Sequence, residues 1–277
     1  MSCDDPPRPK RSLGQNFLVN TGVRDKIVRA LDPGPRDWVV ELGPGPGALT
    51  SPLSERCAHL VAVELDGALA QQLPSRTARP EVLEILGVDG AQLDYAELAG
   101  RAGRQLLVVG NLPFNAASAM LRQALDQRTH LARLVLMFQR EVALRLTAAP
   151  HSRTYGLLTV VTQQRATVER LFDVSPGSFH PAPRVSASVL RFFPRDALPP
   201  CCLLTQDRLA KAAFGQRRKT LRNGLKARAP WPWTTCSEAL DQVGISPDQR
   251  AEEVSVAEFA RLGQWICRQS GACEAVP

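Results

Sequence analysis

The sharpest chemical signal in this 277-residue chain is Gly110-Asn111-Leu112-Pro113-Phe114. The run before it, Leu106-Leu107-Val108-Val109, is apolar enough for a buried strand, and a strand that stops at asparagine, rigid proline and then an aromatic is an unusual turn. Asn111 offers a side-chain oxygen and Leu112 a backbone carbonyl. Two such acceptors can hold both hydrogens of an amino group conjugated to a heteroaromatic ring. That nitrogen is a poor nucleophile because its lone pair is delocalised, and holding its hydrogens aims the pair. Pro113 fixes the carbonyl direction, and Phe114 offers a ring on which a flipped base stacks. Positive charge developing over that ring gains about 1 kcal/mol or more when desolvated. The plainer alternative is an Asn–Pro turn with a core phenylalanine.

Residues of matching chemistry end the earlier apolar runs. Trp38-Val39-Val40-Glu41-Leu42 leads into Gly43-Pro44-Gly45-Pro46-Gly47-Ala48. The spacing Gly43-x-Gly45-x-x-Ala48 satisfies a dinucleotide fingerprint. A pyrophosphate cradle consists of backbone N–H donors, however, and Pro44 and Pro46 each remove one. A rigid loop poor in donors suits a less anionic ligand lying against bare backbone. A tight packing turn is the alternative, although three glycines within five residues exceed its needs. Glu64 closes Leu60-Val61-Ala62-Val63, where a carboxylate can take both hydroxyls of a ribose. Asp89 follows Val82-Leu83-Glu84-Ile85-Leu86 and can accept from the exocyclic amino group of adenine. Each acid alone also reads as a strand-end cap; together with the loop they outline an adenosine site.

A repeated strand–helix pattern must position these groups. The four runs above and a fifth, Leu134-Val135-Leu136-Met137-Phe138, alternate with stretches 47–56, 67–73, 116–127 and 140–148 that are long enough for crossover helices. Such alternation predicts a parallel α/β sheet whose ligand sits at the carboxyl ends of the strands, so loops 43–47, 64–65 and 89–90 should converge. Runs 156–170 and 186–193, broken by Ser175-Pro176-Gly177 and Pro181-Ala182-Pro183, read as an antiparallel pair closing the far edge. After a Pro-rich boundary at 194–200 the pattern turns helical. Ser246-Pro247 reads as an N-cap with proline at the first helical position. Ser255-Val256-Ala257-Glu258 reads as a capping box, with Val256, Phe259, Leu262 and Ile266 on one face. The fold expected is a Rossmann-like α/β sheet, mostly parallel with an antiparallel edge, plus a small all-helical C-terminal domain. Its parts are a Pro-rich charged arm over 1–12, a sheet domain over 13–196 and a helical domain over 201–277.

Composition narrows the class. Hydrophobic residues make up 44% and charged residues 22%, which suits a globular chain. No apolar run approaches the ~20 residues of a membrane helix, and the start, MSCDDPPRPKRS, lacks a signal-peptide core, so a cytoplasmic protein is expected. Seven scattered cysteines without a CxxC pair and four distant histidines give neither a disulfide framework nor a zinc site, and no metal is expected. The net charge of +7 is concentrated, because Arg208–Arg228 holds eight basic residues and no acid. Solvated helix faces usually mix signs. A stretch of one sign with apolar residues interleaved suits phosphate backbone, with Arg217, Arg218, Lys219, Arg222 and Lys226 as candidate nucleic-acid contacts and a solvated helix face as the plainer alternative.

The motifs also stand in the order of a known family. Ser12-Leu13-Gly14-Gln15-Asn16-Phe17-Leu18, the ELGPGPGALT loop, Glu64-Leu65-Asp66, Asp89 and Asn111-Leu112-Pro113-Phe114 come first. Gln139-Arg140-Glu141-Val142, Tyr155-Gly156, Phe179-His180-Pro181-Ala182-Pro183-Arg184-Val185 and Phe214-Gly215-Gln216-Arg217-Arg218-Lys219-Thr220-Leu221-Arg222-Asn223 follow. From about residue 10 to 268 the chain resembles the ribosomal RNA adenine N6,N6-dimethyltransferases. The resemblance implies a class I methyltransferase sheet and the cofactor S-adenosylmethionine. It implies cofactor contacts at Gln15, Asn16, Leu18, Gly43, Gly45, Glu64, Leu65, Asp89 and Asn111. Catalysis would fall to Asn111, Leu112, Pro113 and Phe114, with Phe179 as the second face of a stacking clamp. Phe114 stands where many relatives carry tyrosine, which keeps stacking and removes a phenol. The GQRRKTLRN segment and the NLPF form favour the small-subunit branch, which methylates two adjacent adenines in the 3′-terminal hairpin loop of 16S rRNA late in ribosome assembly. A monomer is the default. The alternatives are a 23S rRNA methyltransferase conferring resistance and a non-catalytic RNA-binding assembly factor. A nicotinamide dehydrogenase is disfavoured by the two loop prolines.

Overall fold

The Val/Leu runs of the first half become the centre of a seven-stranded sheet in the computed structural model, which describes residues 15–114, 116–195, 200–216 and 218–269. The arm expected over 1–12 and Arg217 lie outside the described residues. The described residues divide into two compact units, one within 1–143 and 168–194, the other within 144–167 and 195–277. The first strand, β1 (Phe17–Leu18), is followed by β2 (Trp38–Leu42), β3 (His59–Val63), β4 (Leu83–Leu86), β5 (Leu106–Asn111) and β6 (Leu131–Gln139). Then come β7 (Ala166–Val174), β8 (Phe179–His180) and β9 (Ala187–Pro194). The sheet order is β4-β3-β2-β5-β6-β9-β7, and β1 pairs with β8 apart from it. The strands from β4 to β6 are mutually parallel, and β9 runs antiparallel to β6. This is the mostly parallel sheet with an antiparallel edge that the sequence predicts.

From β2 the chain steps outward to β3 and β4, then returns to place β5 on β2's other side. The switch point therefore lies between Leu42 and Asn111, at carboxyl ends. Gly110 faces Leu42 there. A Cβ on Gly110 would lie 2.7 Å from the Leu42 carbonyl oxygen and 2.8 Å from Leu112 Cδ2, so only glycine lets these ends close up. Helix α1 (Thr21–Leu31) is started by Asn20, whose side chain accepts from Val23 N, and it buries Ile27, Val28 and Leu31 with Val39, Leu107 and Val135 of the sheet. Each such buried Val or Leu stabilises by roughly 1.5–3 kcal/mol.

The second unit is helical: α7 (Leu157–Gln163), α8 (Pro200–Phe214), α9 (Leu221–Arg228), α10 (Trp233–Val243) and α11 (Val256–Gln269). Its core joins Val160, Leu209, Leu225, Leu240, Phe259, Leu262 and Ile266. The capping box forms as expected, with Ser255 N donating to Glu258 Oε2 (2.8 Å) and Glu258 N to Ser255 Oγ (3.2 Å). Two expectations are corrected. The run 156–170 is not one strand: residues 157–163 wind into α7 before β7 begins. Thr159 Oγ1 accepts from Gly156 N and donates to the Arg145 carbonyl, so a β-branched segment is held helical by its capping and burial. This segment belongs with the helical unit, so the observed boundaries differ from 13–196 and 201–277. Ser246-Pro247 starts no helix either. Asp248 N donates to Ser246 Oγ, while the Pro247 and Gln249 carbonyls accept from Arg222 N and Leu221 N, which engages this backbone with the first turn of α9. Among the described residues, no helix is long and apolar enough to cross a membrane.

Candidate active site

A cavity of about 180 Å³ opens at the carboxyl ends of β2, β3 and β5. One wall is the glycine loop. Gly43, Gly45 and Gly47 have φ of +64°, +56° and +91°, a left-handed region that disfavours side chains. Every amide of this loop is accounted for. Gly43 N donates to the Val63 carbonyl, Gly45 N to Glu64 Oε2 and Gly47 N to the Pro44 carbonyl (each 3.0 Å), and the two prolines have none. No N–H is left for a diphosphate. The loop fits a ligand that packs on bare backbone.

Acceptors line the facing wall. Glu64 is 7% exposed and takes Gly45 N on one oxygen and Asp66 N on the other (2.9 Å). Burial raises its pKa, and the two backbone bonds oppose that rise. Each oxygen keeps a further acceptor position for a hydroxyl. Asp89 receives Ala91 N on Oδ1 (2.9 Å), and its Oδ2 makes no hydrogen bond among the described residues. Leu65, Val88 and Met120 add apolar surface beside these acids. This set of acceptors and apolar surfaces suits the hydroxyls, amino group and flat ring of an adenosine.

At the end of β5, Asn111 Nδ2 donates to the Asn16 carbonyl (2.9 Å). A carbonyl oxygen can only accept, so this bond fixes the amide and leaves Oδ1 as the free end. The Pro113 carbonyl accepts from Ala116 N and Ala117 N, which ties the turn to helix α5 (Ala117–Asp126). The strap carrying Asn16 is held by β1–β8 pairing, with Phe17 against His180 and Leu18 against Phe179. Gln15, Asn16, Gly43, Gly45, Glu64, Leu65, Asp89 and Asn111 through Phe114 all line this one cavity.

Two expected residues do not. Leu18 and Phe179 are 5% and 4% exposed, paired strand to strand in the apolar cluster against which Phe114 packs. Phe179 belongs to that cluster and is not among the residues lining the cavity. Arg218, Lys219 and Lys226 are exposed and Arg222 partly so, all within the helical unit. Sequence reasoning missed Phe17, Val63, Val88, Ala116 and Met120 in the cavity lining. Phe17, Val63 and Val88 each stand next to a polar site residue, while Ala116 and Met120 carry no such signal.

It also assigned nothing to Glu41, an acid inside an apolar strand. Glu41 is 1% exposed, its Oε2 has no partner, and burial pushes its pKa up to about 8, helped by the charge of Glu64 and opposed by the Thr50 hydroxyl. The folded chain thus keeps a proton that the unfolded chain, titrating near 4.5, releases. Stability falls as pH rises between those values. Glu41→Gln is expected to match the parent below about pH 4 and to exceed it by about 3 kcal/mol at pH 7, read from denaturant midpoints across pH.

The comparison that decides the family is with its sequence profile. The family described as Ribosomal RNA adenine dimethylase matches residues 8–267. The chain belongs to the ribosomal RNA adenine dimethylase family. Among curated family relatives, it is 41% identical over 259 residues to Ribosomal RNA small subunit methyltransferase A of Xanthomonas campestris pv. campestris (strain B100), covering 91% of this chain and 94% of that one. The protein of the same description from Yersinia pestis (strain Pestoides F) is 38% identical over 263 residues, with 94% of each covered. Of solved structures, a dimethyladenosine transferase from Plasmodium falciparum superposes with a TM-score of 0.80 at 22% identity, covering 92% of this chain and 98% of that one. The 23S rRNA methyltransferase ErmE gives 0.70 at 22% identity, with 91% and 99% covered. These two share the fold. The family places the cavity in an enzyme that methylates ribosomal RNA adenine.

Proposed function

We propose that the chain transfers methyl groups from S-adenosylmethionine to N6 of two adjacent adenines in the 3′-terminal hairpin loop of 16S rRNA. The product is N6,N6-dimethyladenosine, formed late in small-subunit assembly. The observation that carries this reading is identity of 38–41% across more than nine-tenths of the chain to small-subunit methyltransferases. The same reading has the protein working as a cytoplasmic monomer without a metal. The sheet unit would house the chemistry and the helical unit an RNA-binding surface.

The cavity fits the cofactor by its acceptors: a glycine loop whose Gly43, Gly45 and Gly47 N–H groups are already used, Glu64 for the ribose, and Asp89 for the adenine amino group. When bound, S-adenosylmethionine supplies an electrophilic methyl on a sulfonium. The rest falls to this chain. Asn111 Oδ1 and the Leu112 carbonyl hold the two hydrogens of the target amino group, which turns its lone pair into the cavity. Phe114 stacks on the base and faces the charge that develops over it. After transfer the amine is cationic and acidic, and it loses a proton to water or to one of those carbonyl acceptors. A strong base is not needed; positioning and charge stabilisation carry the rate. A hairpin-loop base is already poorly stacked, which keeps flipping inexpensive.

Primer extension on reacted small-subunit RNA tests the site of modification. Two consecutive stops near the 3′ end are expected, and a single stop elsewhere would overturn the assignment. Glu64→Ala is expected to weaken cofactor binding by at least about 30-fold, the cost of roughly one charged hydrogen bond at about 1.5–3 kcal/mol, and it also releases Gly45 N. Calorimetry checks it, and an unchanged Kd would remove the ribose role.

A further inference from the structure

Trp233 opens α10 directly after the rigid segment Pro230-Trp231-Pro232 and packs partly against the core of the helical unit. Two cations reach it from α9. Lys226 Nζ lies 5.2 Å and the Arg222 guanidinium carbon 5.7 Å from the ring centroid. These residues are four apart in the helix, so they project from one face. Asp248, 71% exposed, sits 3.3 Å from Arg222 and is an acidic neighbour given up readily to solvent. The stretch Arg208–Arg228 contains no acid at all.

We propose that Trp233, Arg222 and Lys226 form one RNA contact: the two cations take backbone phosphates, and an unstacked base lies on the guanidinium–indole stack. The inference rests on the reading of the chain as an RNA methyltransferase and adds a residue to it. An exposed lysine or arginine on its own loses side-chain entropy when it binds a phosphate. Here the indole already holds both cations in place through cation–π attraction, so that cost is partly met before RNA arrives. An arginine plane over an aromatic is also a surface on which any base stacks, whatever the sequence. The ring lies among the candidate RNA contacts of α9, and it belongs to neither the cavity nor the catalytic turn.

The test uses the full chain and a fluorescein-labelled single-stranded adenine-rich RNA 20-mer, titrated over a range of KCl concentrations, with fluorescence anisotropy reading affinity and tryptophan fluorescence reading quenching. Trp233→Leu is expected to weaken RNA binding about tenfold, within the range of one lost stacking platform, with cofactor affinity and Tm unchanged. Trp233→Phe should recover most of the affinity and abolish most of the RNA-induced quenching. Arg222→Gln with Lys226→Gln should lower the slope of log K against log salt by about 1.4, roughly 0.7 for each phosphate contact on a single strand, and Trp233→Leu should add little on that background. Should Trp233→Leu lower Tm, the Phe variant and the Gln pair carry the result. RNA affinity, salt slope and quenching unchanged in these variants would make Trp233 a core residue only and overturn the proposal. Methylation of small subunits by the unaltered protein is assayed in parallel. Its absence alongside a clear Trp233 effect would sink the substrate assignment and leave the RNA contact standing.

Discussion

Asn111→Ala should lower the rate of methyl transfer by about 10²–10³-fold, the usual cost of removing one preorganised polar group from a reacting centre. Cofactor affinity should fall by less than about tenfold, because Glu64 and Asp89 are untouched and only the Nδ2 tie to the strap is lost. The asymmetry follows from the two ends of the amide. Nδ2 is spent on the Asn16 carbonyl, which leaves Oδ1 with one task, to hold a hydrogen of the target amine. Asn111→Asp separates these functions. It keeps an acceptor toward the base but sets a carboxylate oxygen against the Asn16 carbonyl, so strap and cofactor binding should suffer alongside the rate. Single-turnover transfer measured beside calorimetric Kd checks both variants. An Ala variant with an unaltered rate would remove Asn111 from the mechanism.

The largest stability effect is expected in the other unit. Arg165 is 2% exposed and meets Asp207 in a two-pronged ion pair, Nη1 to Oδ1 at 3.0 Å and Nη2 to Oδ2 at 2.7 Å. Asp207→Ala takes the carboxylate from a buried guanidinium, a change that typically costs about 3–5 kcal/mol. Pairing Arg165→Met with Asp207→Leu should restore most of the loss, since apolar replacements of similar volume are often neutral. Denaturant unfolding of the full chain measures this, and the loss should fall on the transition of the helical unit, with cofactor affinity unchanged. A loss under about 1 kcal/mol would show that the pair is solvated in practice.

The parts of the fold legible in the sequence are those whose burial is uniform. β2, β3 and β5 are covered on both faces, so their residues read as continuous apolar runs with boundaries correct to a residue or two. The Gly43–Gly47 loop and the ends of β3 and β5 were legible for a related reason: a polar residue that stops an apolar run has few structural uses. What failed depends on partners distant in sequence. β-branched Leu157–Gln163 resembles a strand until α8 lies over it, and Ser246-Pro247 resembles a helix start until α9 takes its carbonyls. The β1–β8 ribbon joins two-residue strands some 160 residues apart, by the sequence numbers of Phe17 and His180. No local pattern announces such a pairing, and it is why Phe179 was expected in the open and lies covered. Glu41 shows the opposite limit. Its position in a Val/Leu run signals a buried acid, yet only the three-dimensional structure shows that Oε2 lacks a partner.

The central claim is the reaction together with its RNA target. The most direct test is methyl transfer from radiolabelled S-adenosylmethionine to undermethylated small ribosomal subunits and, in parallel, to large-subunit RNA, with the labelled nucleosides separated by chromatography. Dimethyladenosine from the small subunit alone is the predicted result. Label confined to large-subunit RNA would contradict the assignment of substrate, and no label in either, with cofactor binding intact, would contradict the reaction itself.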